Sequence, residues 1–349
     1  MSAATPAASG RAPEGPAATA ALKSPGKAGD RVFLGLSSGA AWLILVILAG
    51  VAIFLIIQAV PAITANWSTA SEILDPTAGN TVGFSDFWSY VGPLIFGTIW
   101  ASLLALLMGA PVAIGIALFI SHYAPRRIAG VLGYIIDLLA AVPSVVFGLW
   151  GLYTVRSFLT PFNDFAADYL SWLPFFSPDA SAAGGTILAG AMVLAIMILP
   201  IITSISREIF LQTPRLHEEA ALALGATTWE MIRMAVFPYA RSGVVSAILL
   251  GLGRALGETM AIAMIVSPQF IYSFVLNSND NPGTIAANIA LQFGGSNGLQ
   301  REVLIATGLA LFVISFAVNF LARWIIGRST SGSRTRRART PKAAKAATS

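Results

Sequence analysis

Cysteine is absent from this 349-residue chain, which excludes disulfides, thiolate metal sites and cysteine-ligated iron–sulfur clusters. It leaves the redox compartment open. Charge is scarce too: Asp, Glu, Lys and Arg make up 11% of the residues, against roughly a quarter in an ordinary soluble domain. The only histidines, His122 and His217, are isolated from one another and make no metal-ligand pattern. No G-x-x-x-x-G-K-[ST] phosphate loop occurs, since Gly26-Lys27 is followed by Ala28, so this chain does not bind a nucleotide in that way. Neither a nucleophile–base pairing nor a dinucleotide fingerprint stands out, and an enzyme reading has nothing to rest on.

What is present is apolar surface, 56% of all residues. Runs of ~20 apolar residues recur between short polar breaks, the length a helix needs to cross ~30 Å of hydrocarbon. Continuous runs contradict the alternating ten-residue strands of an outer-membrane barrel. The expected class is therefore all-α, a polytopic bundle with six spans at 40–60, 91–120, 128–153, 184–206, 242–267 and 303–326. The first span is longer than a signal-peptide core and lacks a convincing cleavage site, so it reads as a retained helix. Residues 1–35 and 328–349 read as polar tails, the first rich in Ala, Pro, Gly and Ser and the second basic; too little apolar surface offsets their ordering entropy, and both are expected to be disordered.

Basic residues set the orientation. Six spans put both termini on one side, and with the breaks at 126–127 and 207–241 that side carries 18 of the 21 Lys and Arg residues. The opposite breaks hold only Arg156 and Arg301, while Arg254 lies inside a span. The positive-inside rule then places the termini in the cytoplasm. The basic C-terminal tail reads as an orientation signal and a contact for anionic lipid, not for nucleic acid. The outward segments at 80–90, 161–178 and 277–282 are rich in turn-forming residues.

The break at 207–241 is far longer than two antiparallel spans require. Glu218 to Leu224 reads as a short helix closed by Gly225, a residue suited to the left-handed conformation. Thr227 stands three residues before Glu230, a capping-box spacing that starts a second helix, which Pro238 is expected to stop. Ala220, Ala221, Leu224, Trp229, Ile232 and Val236 fall at helical spacings and form an apolar ridge flanked by charge. Periodicity alone leaves two readings open, a hairpin lying on the membrane surface and a docking element for a cytoplasmic partner.

The residues themselves resemble a known element. Glu219-Ala220-Ala221, three residues, Gly225, then nine residues, a hydrophobic pair and Pro238 are similar to the EAA loop of ABC importer permeases, although Ala235 and Phe237 stand where that family favours Ile and Leu. Pro238-Tyr-Ala-Arg-Ser-Gly243, Gly251-Leu-Gly-Arg-Ala-Leu-Gly-Glu-Thr-Met260, Ala141-Val-Pro-Ser-Val-Val-Phe-Gly148 and Thr284-Ile-Ala-Ala-Asn288 narrow the resemblance to the phosphate-specific PstC type. The resemblance covers 91–326. It implies a type I ABC importer permease fold and a coupling role for Glu218, Glu219, Ala220, Ala221, Gly225 and Pro238. It further implies a second permease of the PstA type, two ATPase subunits and an extracytoplasmic phosphate-binding protein as partners. ATP and Mg belong to the ATPase chains, and no cofactor is expected in this one.

Arg254 and Glu258 draw attention without any family. They lie about 12 and 16 residues into the fifth span, near mid-depth, and a spacing of four puts them on one helix face. A charge at that depth costs roughly 2.5 to 3.5 kcal/mol on insertion scales, so both should face protein or water. A structural ion pair is one reading; a place on an anion path is the other, favoured because Arg offers a planar donor fork to oxyanion oxygens. Asp137 is the remaining acid well inside a span, read as pairing with Arg254 or a neighbouring helix, with a place on the path as the alternative. Pro143 and Ser144 predict a broken or kinked third helix. The expected function is a phosphate importer's permease subunit, with a permease for sulfate or molybdate, or a stand-alone transporter or channel, as alternatives.

Overall fold

The apolar runs fold as helices because a helix satisfies its own backbone where no water is available. A computed structural model describes residues 27–65, 67 and 84–334. Helix α1 spans Lys27–Thr64, with Asp30 in its first turn where a carboxylate meets the positive helix end. Helix α2, Phe87–Leu118, opens on a capping box: the Asp86 side chain accepts from the Ser89 amide at 2.7 Å. A π turn at Phe119–Tyr123 prolongs it. Next come α3 (Arg126–Ala140), α4 (Ser144–Trp150) and α5 (Arg156–Tyr169), the last two joined by a π turn at Gly151–Val155. Helix α6 covers Ile187–Leu211.

Two short helices, α7 (Arg215–Ala223) and α8 (Thr228–Met231), form a hairpin that runs through a π turn at Ile232–Val236 into α9 (Phe237–Leu256). After α9 stand α10 (Met260–Ile265), strand β1 (Pro268–Gln269), strand β2 (Asn281–Pro282), α11 (Ile285–Gln292) and α12 (Leu299–Arg334). The two strands pair in parallel, Pro268 with Asn281 and Gln269 with Pro282. Among the described residues five helices are long and apolar enough to cross a membrane, and α3 with the α4–α5 helix makes a sixth if that pair, bent by 92°, is counted as one.

The chain divides after Ala52 into two units. In the first, α1 shows its apolar side chains all round, Phe33 and Trp42 among them, as a helix surrounded by lipid tails would. The second unit has its core on α2 and α6. Ala101, Ala105 and Ala113 of α2 and Ala189, Val193 and Ile198 of α6 are buried in one cluster. Small residues let the two helices approach closely: a Cβ on Gly109 would stand 3.0 Å from the Ala195 carbonyl oxygen, and Thr203 Oγ1 donates to the Ala113 carbonyl at 3.2 Å. A second cluster joins Ala59 and Ala62 at the end of α1 to Tyr90, Leu94, Ile285 and Val303.

Several expectations change. Helix α1 begins at Lys27 and α12 continues to Arg334, so helix extends into both expected tails; residues 1–26 and 335–349 lie outside the described residues. The third span breaks as Pro143 predicts, and its second half then runs to Tyr169, taking helix into a segment read as turn. Helix runs through Arg156–Tyr169 with Pro161 inside it, and the Ser157 and Thr160 hydroxyls donate to the Tyr153 and Arg156 carbonyls one turn back. The fifth span starts before 242 and ends at Leu256. Pro238 does not stop its helix, because the preceding π turn shifts the bonding frame and leaves the proline in the first turn of α9, where a missing N–H costs little.

A side chain from the stretch between α10 and α11 satisfies backbone at the start of α6. Asn281 is fully buried; its Nδ2 donates to the Gly185 carbonyl at 2.7 Å and its Oδ1 accepts from the Ile187 amide at 2.7 Å, closing the start of α6. Asn281→Ala strands both groups at about 1 to 3 kcal/mol each. The expected result is a lower unfolding temperature in detergent with unchanged helix content by circular dichroism before the transition; an unchanged melting temperature would refute this role.

Candidate functional site

Two regions gather the residues singled out in the sequence. The first is the break between α9 and α10. Gly251, Gly253 and Gly257 weaken helix here, and α9 ends at Leu256 with Gly257 as its cap. Arg254 and Glu258 therefore do not share one helix face. Arg254 sits in the last turn of α9, where a cation meets the negative helix end; Glu258 lies in the break and its Oε1 accepts from the Ala261 amide in the first turn of α10 at 3.2 Å. The two charges complement the two helix ends, and they form no ion pair with each other among the described residues. Glu258 is buried at 8% exposure, whereas Arg254 is half-buried.

Arg254 lines a groove of about 460 Å³ between α6, α9 and α12, with Ser246 and Gly253 of its own helix, Ile201 of α6, and Asn319 and Arg323 of α12. The groove is largely apolar apart from these polar groups. The groove thus presents two guanidiniums, of Arg254 and Arg323, among few other polar groups. Asp137 does not reach Arg254: its Oδ1 accepts from Ser204 Oγ of α6 at 2.7 Å, the neighbouring-helix pairing. Ser144 is the first residue of α4, after Pro143 and the bend, and makes no capping bond.

The second region is the hairpin. Helix α7 closes as the glycine predicts: Gly225 has φ +85°, its amide donates to the Leu222 carbonyl at 2.9 Å, and the Ala226 amide donates to the Ala221 carbonyl at 3.3 Å. These two bonds are a Schellman closure. The capping box of α8 is present, with the Thr227 amide and hydroxyl donating to Glu230 Oε2 at 2.8 and 2.9 Å. The expected single ridge divides in two. Met231, Ile232 and Val236 are buried with Leu118, Phe210 and Val244, with Ala221 packed against them, whereas Leu216, Leu224 and Trp229 remain exposed.

Glu219 and Ala220 are exposed beside those apolar side chains, and Pro238 is exposed further along. Glu218 instead turns toward the bundle, its Oε1 lying 3.6 Å from His122 Nε2. Reasoning from the sequence missed His122, Arg126 and Arg207, which assemble beside that carboxylate. The signal was the repeated Pro-Arg step at 125–126 and 214–215, which starts α3 and α7. Among the described residues no group of three or more His, Cys, Asp or Glu side chains is placed to hold a metal ion.

Comparison with known proteins agrees with this geometry. Residues 109–330 match the model of the family described as binding-protein-dependent transport system inner membrane component. The phosphate transport system permease protein PstC 2 of Mycobacterium tuberculosis is 43% identical over 91% of this chain and 98% of its own length. The phosphate transport system permease protein PstC of Mycobacterium leprae is 43% identical over 80% of this chain and 88% of its own. Among solved structures, a bacterial ABC transporter involved in the import of the acidic polysaccharide alginate covers 84% of this chain and 98% of its own, at a TM-score of 0.50 and 16% identity, which shows the shared permease fold. The broken helices and the hairpin are thus those of an inner-membrane permease, and the chain belongs to the family of binding-protein-dependent transport system inner membrane components.

Proposed function

We propose that this chain is the membrane-spanning permease subunit of an ATP-driven phosphate importer, with its termini and the Glu218 to Pro238 hairpin in the cytoplasm. Its permease relatives carry phosphate transport in their names. A second permease of the PstA type completes the translocation path, an extracytoplasmic phosphate-binding protein delivers the anion, and two ATPase subunits supply the energy.

The observation that carries this reading is the placement of Arg254 and Glu258 at a helix break in the bundle. A continuous helix would spend the carbonyls and amides around them on its own ladder. The break instead leaves a guanidinium on an open groove beside Gly253, which has no atom near its missing side chain. Arg254 attracts the anion's oxygens. Glu258 is an acceptor-only group when ionised, so it favours a phosphate that still carries a proton over sulfate, which offers only lone pairs. Contact with cargo is brief, since a path that binds tightly does not release.

The hairpin explains the coupling. Exposed Leu216, Leu224, Trp229 and Glu219 offer an apolar surface with a charged edge to an ATPase, while Met231, Ile232 and Val236 anchor the same hairpin in the bundle. A push on α7 is therefore delivered to α9, whose far end carries Arg254.

Three experiments check the reading. Reporter enzymes fused after Asp179 and Asn279 should be active only outside, and those after Arg127 and Arg215 only inside; one reporter on the wrong face refutes the orientation. Gly225→Val forces a Cβ into the left-handed conformation at a cost of about 1 to 2 kcal/mol. Substrate-stimulated ATP hydrolysis and uptake by the reconstituted complex should fall while membrane insertion is unchanged, and normal coupling would make the hairpin a mere surface element. Arg254→Gln should slow phosphate uptake about tenfold or more, the equivalent of one charge-assisted hydrogen bond, at normal complex assembly. Glu258→Gln should slow uptake less and admit competing sulfate. Full uptake by the Arg254→Glu, Glu258→Arg double variant would overturn the path role in favour of an interchangeable charge pair.

A further inference from the structure

At the base of the hairpin, away from the groove of Arg254, lies a second pocket of about 430 Å³ bounded by the end of α2, the start of α3, the end of α6 and the start of α7. Its charge is unbalanced. Arg126, Arg207 and Arg215 line it against the single carboxylate of Glu218, which already faces His122. None of the three guanidiniums has an ion-pair partner among the described residues. The Nδ1 of His122 is in turn engaged with Ser121 Oγ at 2.7 Å.

Two helix N-termini meet this pocket as well. Helix α3 begins at Arg126 after Pro125 and α7 at Arg215 after Pro214, and neither first turn receives a side-chain cap. A proline at the cap position has no side-chain oxygen to offer, so first-turn amides and the positive ends of both helices are left for another acceptor. Independent of the helix ends, buried donors wait unpaired. Arg207 Nε is buried without a hydrogen-bond partner, and Thr213, only 4% exposed, lines the pocket with an unpartnered hydroxyl.

Arg207 is also held in place. Its guanidinium lies across α3 at Gly133, where an added Cβ would come within 2.8 Å of Nη1. A cation laid flat on a helix at its glycine, with one N–H buried and unused, is costly unless an acceptor completes it.

We propose that this pocket binds a phosphoryl oxyanion at the cytoplasmic face and so clasps the first coupling helix, α7, to α3. A tetrahedral oxyanion supplies the several acceptor oxygens that three guanidiniums, the Thr213 hydroxyl and two helix ends lack. The cytoplasmic placement rests on the orientation proposed above; the binding chemistry does not. Inorganic phosphate and the headgroup of an anionic lipid share that chemistry, and a pocket at the ends of the span-length helices α2 and α6 is open to both.

The test uses the full chain in nanodiscs, carrying Arg254→Gln throughout so that the transport groove does not report. In discs of phosphatidylcholine, titration calorimetry with inorganic phosphate should give saturable binding that weakens at least tenfold, about 1.4 kcal/mol, in Arg126→Gln and Arg207→Gln. Gly133→Ala keeps every charge and should also weaken binding, because it dislodges the Arg207 guanidinium. If the source is lipid, phosphate does not bind, and discs containing phosphatidylglycerol retain about one such lipid per chain through delipidation, a retention lost in the same variants. Arg126 is exposed, so its variant carries the test where a change at Arg207 impairs folding. Neither ligand bound by the unmodified pocket, or binding indifferent to all three variants at normal melting temperature, overturns the proposal. Failure of phosphate transport itself would appear in the uptake assay and leaves this measurement independent.

Discussion

A helix broken inside hydrocarbon exposes amides and carbonyls that no water reaches, and the bundle is arranged around satisfying them. Three side chains do this across the fold. Asn281 closes the start of α6 through Gly185 and Ile187, Glu258 accepts from the first turn of α10, and Arg156 reaches from α5 to the Ile265 carbonyl at the end of α10, with Nε at 2.9 Å. The polar residues that look expensive in an apolar chain are those that make irregular backbone tolerable. Their removal would cost more than their presence, since a stranded buried group loses its full hydration.

The break between α9 and α10 also shapes the groove on which Arg254 lies. A ladder of unbroken helices would present only side chains to the bundle interior, with every backbone dipole cancelled along the helix except at its ends. Ending α9 at Leu256 brings a negative helix end to mid-bundle, where Arg254 offsets it, and starting α10 two residues after Glu258 brings a positive end, which the carboxylate offsets. Each charge is then stabilised by a helix end instead of by the other charge. That leaves the guanidinium free to face the groove, which a closed ion pair would not.

At the hairpin, the bonding frame matters more than the propensity of any one residue. Pro238 looks like a stop signal because its nitrogen cannot donate. The π turn at Ile232–Val236 supplies the extra residue that lets the chain pass through the proline and continue to Leu256. The chain therefore passes from α8 through the π turn into α9 with no loop between them. The Schellman closure at Gly225 keeps α7 and α8 at a defined angle.

The sequence by itself determined the membrane class, the helical content, the broken third helix, the glycine closure and the capping box, because each rests on composition or on residues within one or two turns of each other. Its apolar runs also marked where the spans lie, but not their ends: the first helix starts at Lys27 instead of 40, the third continues to Tyr169 instead of 153, and the fifth stops at Leu256 instead of 267. Only the tertiary structure decided that Arg254 and Glu258 stand on separate helices, that Asp137 pairs with Ser204, that Glu218 turns to His122 while Glu219 faces out, and that three arginines converge at the base of the hairpin. Those outcomes depend on groups brought together from distant parts of the chain and on where buried backbone is left unpaired. Periodicity along one helix carries no record of either.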